Sequence, residues 1–126
     1  MATEILVNDG GAPARILPFI AHHALSGGNI VEMETTGKVK KCADTASVKS
    51  IGFALVDAAA DKICSIVSGK GVILNALCTG TVASGAALEV DAADGILVAG
   101  VTPGEVVAVA VGSQGAVLGY VKVLTQ

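Results

Sequence analysis

The stretch GNIVEMETTGKVKKCA, Gly28 to Ala43, reads as a single β-hairpin. In NIVEME, Ile30, Glu32 and Glu34 fall on one side and Val31 and Met33 on the other, the period of two expected of a strand. TTGK supplies a glycine turn, and KVKKC alternates again with Val39 between lysines. Across a solvated hairpin, Glu32 and Glu34 would face Lys38, Lys40 and Lys41. Opposite charges on paired strands account for the two carboxylates without assigning them any chemistry.

The same grammar extends along the chain. SIGFALVDA, from Ser50, places Ile51, Phe53 and Leu55 on one face and predicts another strand; AAADK then turns into ICSIVS, and GKGVILNAL follows. The second half repeats this order. GAALEVDAADGILVAG (Gly85 to Gly100) aligns with the opening hairpin, and VAVAVGSQGAVLGYV (Val107 to Val121) with FALVDAAADKICSIV (Phe53 to Val67). The offset is about 55 residues, giving pseudo-repeats over about 28–72 and 85–123. The Ala-rich pieces DAAADK and SGAALEVDAADG have helix propensity, but recurrent glycines from Gly52 to Gly119 cut the chain into lengths too short for stable helices. The runs between them are rich in Val and Ile. The expectation is an all-β fold: a compact β-barrel or β-sandwich of short antiparallel strands with an internal two-fold sequence repeat. Alternation alone does not separate barrel from sandwich, because both bury one face.

The 126 residues suffice for one domain with a real core. Hydrophobic residues make up 52%, yet aromatics only 2% and charged residues only 15%, so the surface is rich in small residues or is covered by partners. Net charge is −3; residues 1–70 balance, while 71–126 carry Glu89, Asp91, Asp94 and Glu105 against Lys122. Neither half offers a basic field for a phosphate backbone, so no direct nucleic-acid contact is expected. The start carries Glu4 and Asp9 and lacks the basic and apolar regions of a secretory signal, and no run is long enough for a transmembrane helix; no membrane partner is expected. Cys42, Cys64 and Cys78 are an odd set for a disulfide scaffold and fit a reducing compartment.

Catalytic, cofactor-binding and metal-binding sites are all predicted to be absent, and the chain is expected not to be an enzyme. SGKG (Ser68 to Gly71) lacks the glycine spacing and the hydroxyl after Lys70 that a phosphate loop requires. His22 and His23 are adjacent, and in an extended chain neighbours point to opposite faces, which suits one metal ion poorly. The cysteines form no C-x-x-C pair, and Asp91 and Asp94 belong to a DAADG turn. No nucleophile–base constellation can be assembled.

One segment remains distinctive. In NDGGAPARILPF (Asn8 to Phe19), Pro13 and Pro18 are expected to prevent regular sheet or helix. Residues 1–26 are read as an extended N-terminal arm ahead of a single β-domain, 27–126. Asp9, Gly10 and Gly11 form its bend. Arg15, Ile16, Leu17, Phe19 and Ile20 are large groups suited to gripping an acceptor surface, with Arg15 available for a carboxylate.

Taken in order, EILVNDGGAPARILPF, LSGGNIVEMETTGKVKKC, SIGFALVDAAADKICSIVSGKGVI and ASGAALEVDAADGILVAG resemble the small capsid decoration (cement, or head-stabilising) proteins of tailed bacteriophages. The elements carrying the resemblance are a G-x-x-V strand before a G-K-V turn, a G-x-A strand before AAA, and a closing V-x-G strand. It implies a structural protein, made in the host cytoplasm, that sits on the outer surface of the virion capsid. There it would bind the major capsid protein, bridge its subunits and stabilise the expanded head. It also implies a homo-oligomer, a trimer first and a dimer next, and an extended arm that reaches over neighbouring subunits. Another virion β-module (tail, fibre or surface component) is the alternative reading, and a small ligand-binding barrel or enzyme the third.

Overall fold

The computed structural model describes residues 6–8, 15–43, 50–91, 94–102 and 106–126, and every regular element among them is a β-strand. In chain order these are β1 (Leu6–Asn8), β2 (Arg15–Ile20), β3 (Ile30–Met33), β4 (Val39–Lys41), β5 (Ser50–Ala54), β6 (Ile63–Ser68), β7 (Ile73–Cys78), β8 (Ala87–Val90), β9 (Leu97–Ala99), β10 (Ala108–Ala110) and β11 (Gly119–Thr125). Alanine's helix propensity loses to the turns, as at Asp94 and Gly95, where φ of 49° and 72° ends any helical run.

The strands form two sheets. One has the order β2-β6-β5-β3-β4, the other β1-β7-β11-β10-β8-β9. With β1 set aside, the two orders are identical once each strand of the first is advanced by five. Finer details repeat too. A parallel contact joins the rims of each sheet, Ala21↔Val39 in one and Cys78↔Leu97 in the other. Antiparallel bridges Leu25↔Ala58 and Val82↔Gln114 correspond, as do the bonds from Gly28 N–H to Ala54 O (2.8 Å) and from Gly85 N–H to Ala110 O (2.7 Å). Even a side chain recurs: Glu32 accepts from Ala43 N–H at 2.9 Å and Glu89 from Thr102 N–H at 3.1 Å. The repeat runs from β2 to β6 and from β7 to β11, with a step of about 57 residues.

The sequence alignment of the later strands therefore slips. Phe53 faces Ile30 and Val109 faces Ala87, so Phe53 corresponds to Val109 rather than Val107. A two-residue slip leaves the inside–outside alternation unchanged, and an Ala/Val-rich strand carries nothing else to reveal it.

Of the two architectures left open, the described residues support sandwich packing. A large core joins Ile30, Phe53 and Val67 of the first sheet to Leu74, Ala76, Leu88, Leu97, Ala108, Val121 and Val123 of the second. A smaller core, on the opposite face of the first sheet, gathers Ala21, Leu25, Val31, Val39, Ala54, Cys64 and Ile66. Neighbours such as Ile30 and Val31, or Ile66 and Val67, are thus buried on opposite faces. Burial on both faces explains why these strands are continuously apolar.

The hairpin is present, with Glu32 opposite Lys40 and Met33 opposite Val39. Its expected solvation is not. Glu32 is only 5% exposed, and its carboxylate holds a backbone N–H rather than a lysine. Glu34 bonds His22 and Thr36, while Lys38 pairs with Asp61 at 3.0 Å.

Pro18 does not keep its segment out of the sheet. Arg15 to Ile20 pair residue by residue with Ser68 to Ile63, and Pro18 faces Ser65. Ala21 N–H donates to Lys62 O at 2.9 Å; by the alternation of an antiparallel ladder, Phe19, Leu17 and Arg15 bond inward and position 18 points away from β6. There the missing proline donor costs no ladder bond.

Candidate functional site

The described residues hold several groups that deserve a chemical reading, and each resolves into structure. The chain bends at His22 and His23, which overturns the extended-chain argument for placing them on opposite faces. Their rings stack with centroids 4.1 Å apart, and His22 Nδ1 lies 2.5 Å from Glu34 Oε2. Ligand atoms of His22, His23 and Glu34 lie within 4.8 Å of one another. Stacked imidazoles direct their in-plane lone pairs side by side rather than to one point. In this arrangement Glu34 serves as hydrogen-bond partner to His22, whose bond holds the Glu34 carboxyl below its ordinary value against an opposing push from desolvation.

A crevice of roughly 350 Å³ runs between β5, β6 and the Val106–Val107 and Thr125–Gln126 segments. Its lining includes Ser50, Ser68 and Lys70 and, among the described residues, no Asp, Glu, His or Cys side chain to activate a hydroxyl.

The three cysteines are buried and not disulfide-bonded. Burial pushes the Cys42 and Cys78 thiols up to about 12 and raises Cys64 as well. The thiolate is the reactive form, so all three are expected to resist a thiol-specific disulfide reagent at pH 8 in the native protein and to react at once in denaturant. Rapid labelling of one thiol in the folded state would contradict its placement.

The remaining feature is surface. Ile16, Leu17 and Ile20 on β2 are exposed, with Ile63 opposite Ile20 on β6. Phe19 is partly buried and packs against the smaller core of its own sheet. Arg15 is placed by its backbone at the start of β2, opposite Ser68. Asp9, Gly10 and Gly11 lie outside the described residues. Sequence reasoning missed Ile63, which had been read only as a member of a strand, and Tyr120, whose hydroxyl donates to Gly27 O at 2.9 Å. The signal for the latter was available: it is the only tyrosine in the chain.

The chain is thus an all-β protein of two like-ordered sheets with exposed apolar side chains on β2 and β6, and no catalytic group is assembled among the described residues. No protein-family model matches the chain, and no curated protein matches it. Among solved structures it is similar to the head fiber gp8.5 N base in bacteriophage phi29, with a TM-score of 0.69 at 12% sequence identity, covering 90% of this chain and 95% of that one. At that identity the likeness establishes a shared fold.

Proposed function

We propose that this chain is a virion structural protein that binds the outer surface of a phage capsid. There it contacts the major capsid protein, bridges its subunits and helps hold the expanded head. The observation that carries the reading is the fold shared with a phage head-fibre base over nearly the full length of both chains. A low-charge surface of small residues suits it, because close approach then desolvates few charges. Many weakly bound copies on a repeating lattice would gain avidity.

The contact is assigned to β2 and the residues before it, through Arg15, Ile16, Leu17 and Ile20, with Asp9, Gly10 and Gly11 as the bend. Phe19 anchors this strand to its own sheet. Copies would sit at local symmetry points as a trimer, with a dimer as the next choice. A second reading, the base of a fibre rather than a cement protein, is favoured by the same neighbour, which is itself described as a fibre base.

Purified protein mixed with undecorated expanded heads is expected to bind saturably and in fixed stoichiometry. Folded protein that fails to bind would overturn the capsid reading. Density confined to tail or fibre in electron cryo-microscopy would shift it to the alternative.

A further inference from the structure

The two repeats of the chain meet head to tail, through different surfaces on each. From the first repeat comes the turn at Gly27 and Gly28. Gly28 C=O accepts from Leu77 N–H at 3.1 Å, and Gly27 C=O accepts from the Tyr120 hydroxyl. A Cβ on Gly28 would lie 2.8 Å from Tyr120 Cε1. Beneath the turn, Ile30, Phe53 and Val67 are buried in the core of the second repeat. Alongside, Asn29 Nδ2 donates to Gly95 O at 3.1 Å, and Gly95 N–H donates to Cys42 O at 2.8 Å.

Each half of this junction has a counterpart elsewhere on the molecule, and the counterparts are uncovered. Gly85 matches Gly28 in backbone bond and in φ, 87° against 91°. Nothing lies within 4 Å of a Cβ built on Gly85, and Ser84 and Gly85 are exposed where Gly27 and Gly28 are buried. Ile30, Phe53 and Leu55, the last packed against the edge of the same core, correspond to Ala87, Val109 and Val111, of which Val111 is 46% exposed. On the receiving side, Leu77↔Tyr120 of β7 and β11 corresponds to Ile20↔Ile63 of β2 and β6. Ile20 is 44% and Ile63 70% exposed. Gly37 corresponds to Gly95, and its Cβ position is also open, whereas that of Gly95 abuts Lys41 at 2.9 Å.

We propose that a second copy of this chain covers both surfaces: the Ser84–Gly85 turn of one copy docks on the Ile20–Ile63 face of the next, repeating between chains the contact that joins the repeats within each. The occupant is identified by continuity with the internal junction, since each free surface is the structural equivalent of one already mated. The contact is heterologous, so it closes into a ring or extends as an open array. With isoleucine at position 63 in place of the tyrosine, the interchain version lacks the hydroxyl donor and presents an aliphatic side chain there. It forms on the isolated chain and does not depend on capsid binding; on the head, Ile20 is covered by the neighbouring copy and the capsid contact falls to Arg15, Ile16 and Leu17.

Ser84→Arg places a charge in the donating turn, and Ile63→Lys places one on the receiving face. Both positions are exposed in the single chain, so both variants are expected to melt as the wild type does; Ile63→Ser replaces Ile63→Lys should the lysine disturb folding. By sedimentation velocity and native mass spectrometry the wild type forms species larger than a monomer. Each variant alone is expected to lose at least about tenfold in association. An equimolar mixture is expected to recover dimers and nothing larger, because one unaltered turn and one unaltered face remain between the two chains. A wild type that stays monomeric, variants that assemble normally, or a mixture that stays monomeric each overturns the proposal. Loss of head binding by Ile63→Lys from a monomeric wild type would assign that face to the capsid protein instead. Failure of the wild type to bind heads would leave the pairing between copies intact.

Discussion

Gly52→Ala is expected to lower the unfolding free energy by about 3 kcal/mol, the upper part of the range for overpacking a core. A Cβ at this position would stand 2.2 Å from the carbonyl oxygen of Val67 and 3.0 Å from Ile66 Cγ2. The oxygen belongs to the backbone of β6, held in register by Phe53↔Val67 and Ala54↔Ile66, and cannot swing aside like a side-chain tip. Relief requires prising β5 from β6, which loosens Phe53 and Val67 in the shared core. Gly71→Ala is the comparison: nothing lies within 4 Å of its Cβ, and only its φ of 76° opposes a side chain. That backbone term alone is expected to cost about 1 kcal/mol. Urea unfolding of the two variants measures the difference. Equal losses would mean that β5 and β6 do not approach this closely.

Removing residues 1–19 is expected to abolish cooperative unfolding altogether. The truncation strips β1 from β7 and all but Ile20 of β2 from β6. Five ladder positions on β6 lose their partners, and the smaller core loses Phe19, which packs against it. The combined loss exceeds about 5 kcal/mol, the lower end of the stability of a small domain. Loss of the near-ultraviolet signal and of a thermal transition would register it. A truncated chain that melts sharply near the wild-type temperature would make the segment dispensable to the fold.

The contrast between these segments marks what was legible. The β3–β4 hairpin could be read because its turn chemistry and alternation agree, and the repeat because Gly28 and Gly85 hold equivalent turns. That RILPFI and ILNALC open the two repeats was not legible: they share no pattern beyond apolar character, and proline argued against a strand that in fact lies at a sheet edge. Burial of Glu32 was hidden because lysines opposite it gave a sufficient account of its charge, while its true partner is a backbone N–H eleven residues along. The proximity of His22 and His23 depends on a bend with no Gly or Pro to announce it. The uncovered Ile20–Ile63 face follows only from register across forty residues of chain, which local pattern does not encode.

In each repeat the first strand pairs with the last: β2 with β6, and β7 with β11. A chain emerging from the ribosome therefore cannot complete its first sheet until Ser68 is free, since β2 has no other ladder partner among the described strands. Even then Ile30, Phe53 and Val67 stand uncovered, because the core that receives them is built from strands not yet made. Closure of long loops ahead of their rewarding contacts slows folding to about milliseconds to seconds for β-topologies. The half-made molecule thus displays an apolar face for the time needed to translate the second repeat, about 3–10 s at ordinary elongation rates. Pro18 on its open edge, unable to donate to a neighbouring strand, guards against pairing with another nascent chain during that interval.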